Sequence, residues 1–213
     1  YIIMESEKMP ENISLNGDDW LLTGWWKNEW RLMESMEMGQ MLQAPISTIP
    51  AEVPGAVQID LMKEGLLKDP NYGLNSNSIE WVNNREWFYD KEFNIPDNIN
   101  AQKFKLCFKG LDHHGEIYLN QQKLTDFSGM FKPVEIDVTG ILNFDSKNHL
   151  RVIFYQNPEV DGQIGYSNQI KTLKSRFNYK WDWCPRIVPI GIWDDVYIKT
   201  YNQVEIEDFF PDA

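Results

Sequence analysis

Apolar residues recur at every second position through the latter half of the chain. Phe104, Leu106 and Phe108 alternate with Lys103, Lys105 and Lys109, which predicts a half-buried strand. Val134, Ile136 and Val138 alternate with Glu135 and Asp137. Leu150, Val152 and Phe154 alternate with Arg151, Ile153 and Tyr155. A further strand over residues 116–119 follows the turn-rich stretch 110–115, and residues 120–123 predict a tight turn into Leu124. Residues 196–201 complete the series. Short strands separated by Gly, Pro, Asn and Asp predict an all-β antiparallel sandwich with short helical insertions.

The first hundred residues are less regular. Residues 20–26 predict an early strand, and residues 87–93 resume strand alternation. Between them, Val57–Lys63 predicts a short helix with Val57, Leu61 and Met62 on one side. Gly65 supplies a left-handed cap, and Val53-Pro54-Gly55 excludes helix before that point. A single turn over residues 78–82 is expected, capped by Ser78. Residues 33–41 hold four of the eight Met and predict a helical or hairpin insertion. Residues 157–179 are long and polar, and such a loop inside a compact domain is usually functional or mobile. The tail alternates again over residues 203–208.

Composition narrows the functional classes. With 213 residues, 20 Lys plus Arg and 32 Asp plus Glu, the net charge is −12. That charge repels phosphate backbones and anionic lipid, so no nucleic-acid partner and no membrane partner is expected. No apolar run approaches the roughly 20 residues that span a bilayer. Residues 1–13 do not read as a signal peptide, and the sequon Asn12-Ile13-Ser14 is too common by chance to imply secretion. Compartment is left open. Two cysteines, Cys107 and Cys184, supply neither a four-ligand zinc site nor a disulfide scaffold, and Cys107 reads as a buried mid-strand residue. Nine Trp, nine Tyr and eleven Phe fit a heavy β core or flat faces for sugar rings.

Few motifs carry chemistry. There is no Gly-x-Ser-x-Gly elbow, phosphate loop or dinucleotide fingerprint. His113-His114 reads as a solvated turn and not a metal site. Asp18-Asp19 and Asp194-Asp195 are sequence neighbours, which point to opposite strand faces and cannot flank one bond. No metal site and no cofactor is expected from these residues. Trp181-Asp182-Trp183-Cys184-Pro185-Arg186 stands apart. Indole faces suit the apolar side of a pyranose, and a carboxylate accepts two hydroxyl hydrogen bonds. Arg186 would hold Asp182 or reach a substrate oxygen. The competing reading is a strand edge with two core Trp and a surface salt bridge.

An ordered series of short motifs resembles a known family. It runs from Leu15-Asn16-Gly17 with Trp20, through Val53-Pro54-Gly55, Asp60-Leu61 and Gly65-Leu66, to Asp69-Pro70-Asn71-Tyr72-Gly73-Leu74-Asn75. Trp81-Val82, Trp87-Phe88-Tyr89, Phe108-Lys109-Gly110-Leu111-Asp112 and Ile117-Tyr118-Leu119-Asn120 follow, then residues 148–152. Trp181-Asp182-Trp183, Pro185-Arg186 and Gly191-Ile192-Trp193 close it. The chain resembles the amino-terminal sandwich domain of glycoside hydrolase family 2, most closely that of β-mannosidase-like members.

That resemblance implies a jelly-roll, galactose-binding-like sandwich over residues 1–201. Residues 202–213 would then begin the connection to an immunoglobulin-like domain. It implies a retaining, exo-acting parent enzyme whose two catalytic Glu lie on a downstream (β/α)₈ barrel, so this chain alone should be inert. Its partners would be that barrel and a β-linked terminal mannoside or related sugar. Carried onto this sequence, Asp182 is the sugar-hydroxyl contact and Trp181 a wall of the subsite. Trp183 and Arg186 are supports, and Asn75 lies near the same end. Three positions depart from the family pattern. Cys184 stands where Gly is usual, Gln121 replaces a Gly after Asn120, and His113-His114 replaces smaller residues. Two further readings stay open: a free-standing carbohydrate-binding module, and the same domain from a galactosidase, glucuronidase or exo-glucosaminidase.

Overall fold

An alternating strand buries only one face, so each sheet needs a second apolar surface to cover it. The computed structural model describes residues 12–34, 43–159 and 170–202, and in it two antiparallel sheets cover one another. The larger sheet contains β2 (Gly17–Trp25), β3 (Ile46–Val53), β4 (Glu86–Phe93), β7 (His114–Leu119), β8 (Gln122–Ser128) and β10 (Asn148–Phe154), in the order β3-β2-β4-β10-β7-β8. The smaller contains β1 (Asn12–Ser14), β5 (Lys103–Phe108), β9 (Val134–Asp137) and β12 (Val196–Tyr201), in the order β1-β12-β5-β9. A two-stranded ladder joins β6 (Leu111–Asp112) to β11 (Gly191–Ile192). The predicted sandwich is therefore present. Its core is filled from the large sheet by Trp20, Leu22, Trp87, Tyr89, Ile117, Leu150, Val152 and Phe154, and from the small one by Phe104, Leu106, Phe108, Val196 and Ile198. Cys107 is buried in β5 as expected.

Period two fails where both faces are covered. Phe88 and Ile153 point away from the main core and pack with Trp25 and Trp30 in a second cluster on the outer face of the large sheet. Trp87-Phe88-Tyr89 and Val152-Ile153-Phe154 are continuous apolar runs for that reason.

The connections follow local chemistry. The predicted helix is present as α1 (Val57–Lys63). It stops in a Schellman motif, with Leu66 N–H bonding the Leu61 carbonyl at 2.8 Å and Gly65 N–H bonding that of Met62 at 3.0 Å. Gly65 takes the left-handed conformation this needs (φ 72). Between β7 and β8, Asn120 (φ 51) and Gln121 (φ 68) form the two-residue turn, so a Gln occupies a position that favours Gly. The turn predicted at residues 78–82 is corrected. Two 3₁₀ turns, Asn75–Ser78 and Glu80–Asn84, break at Ile79. The Ser78 hydroxyl donates back to the Asn75 carbonyl (2.7 Å) and caps nothing. Most of the Met-rich insertion and the alternating tail lie outside the described residues.

The registers define a rim. Trp25 pairs with Glu86, Phe154 with both Trp87 and Gly115, His114 with Ser128, and Gly24 with Ile46. In the small sheet, Phe108 pairs with Val196 and Val134. The described parts of the connections after β2, before β4, after β5, after β8 and between β10 and β12 therefore meet at one end of the sandwich.

Gly115 tests the packing of β7 on β10. A methyl group there would fall inside the van der Waals radius of the Ile153 carbonyl oxygen. Gly115→Ala should lower unfolding stability by about 2–3 kcal/mol, measured by urea denaturation. An unchanged midpoint would contradict the strand contact.

Candidate functional site

The long connection from β10 to β11 starts and ends at this rim. Its described end forms a stem, closed where Ile187 N–H bonds the Asn178 carbonyl at 3.0 Å. Trp181 and Cys184 then exchange backbone hydrogen bonds of 3.2 and 3.3 Å, leaving Asp182 and Trp183 at the apex of a four-residue turn. Lys180, just before the turn, sits at φ 107. A non-glycine residue in that region carries strain of about 1–3 kcal/mol, and such strain persists only where the surroundings fix it.

Trp181 is 43% exposed and Trp183 79% exposed, so neither is a core residue. Asp182 is exposed between them and has no hydrogen-bond or ion-pair partner among the described residues. Arg186 does not hold it. The guanidinium pairs with Glu80 of the second 3₁₀ turn, bonds the Glu159 carbonyl at 3.1 Å and lies 5.3 Å from the Tyr179 ring centroid. Arg186 thus ties the stem to the 75–85 connection. Asn75 spends its side chain within its own loop, donating to the Asp69 carbonyl at 3.0 Å.

Beneath the stem lies a polar network in the interior. The Lys174 ammonium pairs with the Asp112 carboxylate, their side chains 0% and 2% exposed, and also bonds the Pro189 carbonyl at 2.8 Å. Asn157 donates to that same carbonyl and to Asn83 Oδ1, both at 3.3 Å. Its own Oδ1 lies 3.2 Å from His113 Nδ1, and His113 Nδ1 lies 3.1 Å from His114 Nδ1. The expectation of a solvated His pair is therefore wrong for His113, which is buried. Burial pushes its pKa down to about 3, helped by His114 and Lys174, so the ring is neutral at pH 7. Among the described residues no group of three or more His, Cys, Asp and Glu is placed to hold a metal ion.

The outer-face cluster is anchored by two buried carboxylates. Glu86 accepts from Trp30 Nε1 (2.5 Å) and from Asn28 N–H (3.0 Å). Glu116 accepts from the Tyr118 hydroxyl (2.5 Å), the Tyr155 hydroxyl and Lys123 (2.9 Å), with Arg31 at 3.4 Å. These bonds fix the 26–34 connection on the sheet. Sequence reading missed this set and the Lys174 network. The one available signal was charge inside a strand, since Asp112 and Glu116 both sit among buried neighbours and so require partners.

The family model described as "Glycosyl hydrolase 2 galactose-binding domain-like" matches residues 30–194. A "Beta-mannosidase" from Mus musculus is 30% identical over 179 residues, 75% of this chain and 20% of that protein. A "Mannosylglycoprotein endo-beta-mannosidase" from Lilium longiflorum is 36% identical over 177 residues, 75% of this chain and 18% of that protein. The β-D-mannosidase structure from Dictyoglomus thermophilum superposes with a TM-score of 0.76 at 28% identity, covering 93% of this chain and 23% of that one. A β-glucuronidase from Ruminococcus gnavus shares the fold at a TM-score of 0.54 and 19% identity, covering 90% of this chain and 28% of that one. The chain thus spans about a fifth of the length of the curated relatives it matches.

Glu116 gives a pH signature. Burial raises its carboxyl, but the Tyr118, Tyr155 and Lys123 bonds outweigh it and bring the pKa down to about 2. An unfolded Glu titrates near 4.5, so the stabilisation is complete above that pH and is lost as pH falls toward 2. Urea midpoints at pH 6 and pH 3 should differ less in Glu116→Gln than in the parent chain.

Proposed function

The chain belongs to the glycosyl hydrolase 2 galactose-binding-domain-like family, and we propose that it is a non-catalytic sandwich domain of a retaining, exo-acting β-mannosidase. In this reading the rim turn at residues 181–184 walls the subsite for the terminal sugar. Asp182 accepts hydrogen bonds from sugar hydroxyls, Trp181 offers an apolar face, and Trp183 and Arg186 support the turn. Asn75 belongs to the neighbouring loop.

One observation carries the reading: a carboxylate with no partner among the described residues, flanked by two exposed indoles on a strained turn. A solvated Asp between solvated Trp residues gains nothing for folding. It becomes useful when a ligand with hydroxyl groups and an apolar face arrives. Retaining hydrolysis uses two carboxyl groups roughly 5–5.5 Å apart, one as nucleophile and one as acid/base. A lone Asp182 does not fill both roles. The reaction is therefore assigned to a barrel outside this chain, with the rim turned toward it. Phe177 and Trp183 at that rim, with Tyr72 and Leu74 on the loop leading into residues 75–85, leave much apolar surface exposed, which suits a domain seated against another.

The test uses the full-length enzyme that contains this chain. Asp182→Ala should lower kcat/KM for an aryl β-mannoside by about one to two decades, the loss of one charged hydrogen bond of about 1.5–3 kcal/mol. Unchanged turnover would end the subsite role. Cleavage of internal β-mannosyl linkages without aryl-mannoside turnover would replace exo with endo action. Titration calorimetry of the isolated chain with mannose and manno-oligosaccharides should show no binding. Millimolar or tighter binding would favour a free-standing module.

A further inference from the structure

We propose that Lys174 is a positioning residue: with Asp112 it fixes the stem that presents the turn at residues 181–184, although it touches neither Asp182 nor either Trp. The tie to sugar rests on the function proposed above; the positioning itself does not.

Three distant points of one connection meet at the Pro189 carbonyl. Asn157 stands three residues after β10, Lys174 lies in the middle, and Pro189 stands two residues before β11. Pro189 offers one carbonyl to both the Lys174 ammonium (2.8 Å) and the Asn157 amide (3.3 Å). Asp112 belongs to β6, whose backbone pairs with Gly191, so the anchor is part of the sheet framework. Next to Lys174, the Leu173 carbonyl accepts from Met130 N–H at 2.7 Å, which holds the outer side of the segment. From there the 3₁₀ turn Arg176–Tyr179 leads directly into strained Lys180 and the apex. Tyr179 is buried, so the stem enters the turn from a fixed floor. Lys174 itself lies on the connection and on no strand of either sheet, so its removal acts first on the connection.

Hydrogen–deuterium exchange resolved by mass spectrometry tests this. The reporters are the bonded amides of Trp181, Cys184 and Ile187, with β10 as the internal control. Lys174→Met should speed exchange across residues 176–188 by about tenfold and leave β10 unchanged. Asp112→Asn keeps an acceptor oxygen but loses the charge, and should give about threefold. It serves as the test if the Lys174→Met chain does not fold. Unchanged exchange at the stem, or equal acceleration in β10, would overturn the proposal. In the full-length enzyme, Asp112→Asn should raise KM for an aryl β-mannoside about fivefold while kcat stays within twofold. Faster stem exchange with unchanged KM would support positioning and overturn the sugar-facing role.

Discussion

An ammonium ion with no exposed surface must be compensated where it stands. Lys174 meets that demand with the Asp112 carboxylate and the Pro189 carbonyl, and the arrangement ties the described segment from residue 170 onward to the β6–β11 ladder. Such pairs add little to net stability, because removing two charges from water costs several kcal/mol per ion. Their value lies in the penalty for any alternative conformation. A loop that strays from this path strands a charge in an apolar interior, and burial already pushes the Asp112 carboxyl upward despite its cation. The ion pair thereby adds to the hold of the buried Tyr179, Val188 and Ile190 on the described segment.

The outer face of the large sheet follows the same logic with weaker charges. Glu86 and Glu116 lie on strands where an unpaired carboxylate would be expensive; Glu86 takes its partners from the 26–34 connection, and Glu116 takes Arg31 and Tyr155 from the rim connections besides Tyr118 and Lys123 of its own and the neighbouring strand. Indole, phenol and guanidinium groups of residues 28–31 and 155 are drawn onto the sheet by those acceptors. Apolar packing of Trp25, Trp30, Phe88 and Ile153 then seals the contact. The sandwich thus has a second, smaller interior at the end where its loops gather, and that end is stiffened from both sides.

The sheets were legible because a half-buried strand writes its burial directly into alternate residues. Phe104, Leu106 and Phe108 needed no further context, and Val57–Lys63 with Gly65 carried its own stop signal. Legibility failed where an environment is set by distant residues. His113 looks like a turn residue until Asn157, 44 positions away, closes over it. Ser78 has the right chemistry for a cap, but it ends the 3₁₀ turn Asn75–Ser78 and its hydroxyl serves as a donor. Alternation alone left Trp181 and Trp183 undecided between core and surface, since both are consistent with a strand edge. Lys174 gave no signal, because a lysine in a polar stretch is normally solvated.

The apex of the rim is closed by main-chain atoms alone. Trp181 and Cys184 supply N–H and C=O groups that any non-proline residue carries, so these two closing bonds do not depend on the identity of the side chains at 182 and 183. In the function proposed, the pair at 182 and 183 could change without removing the main-chain bonds that close the turn.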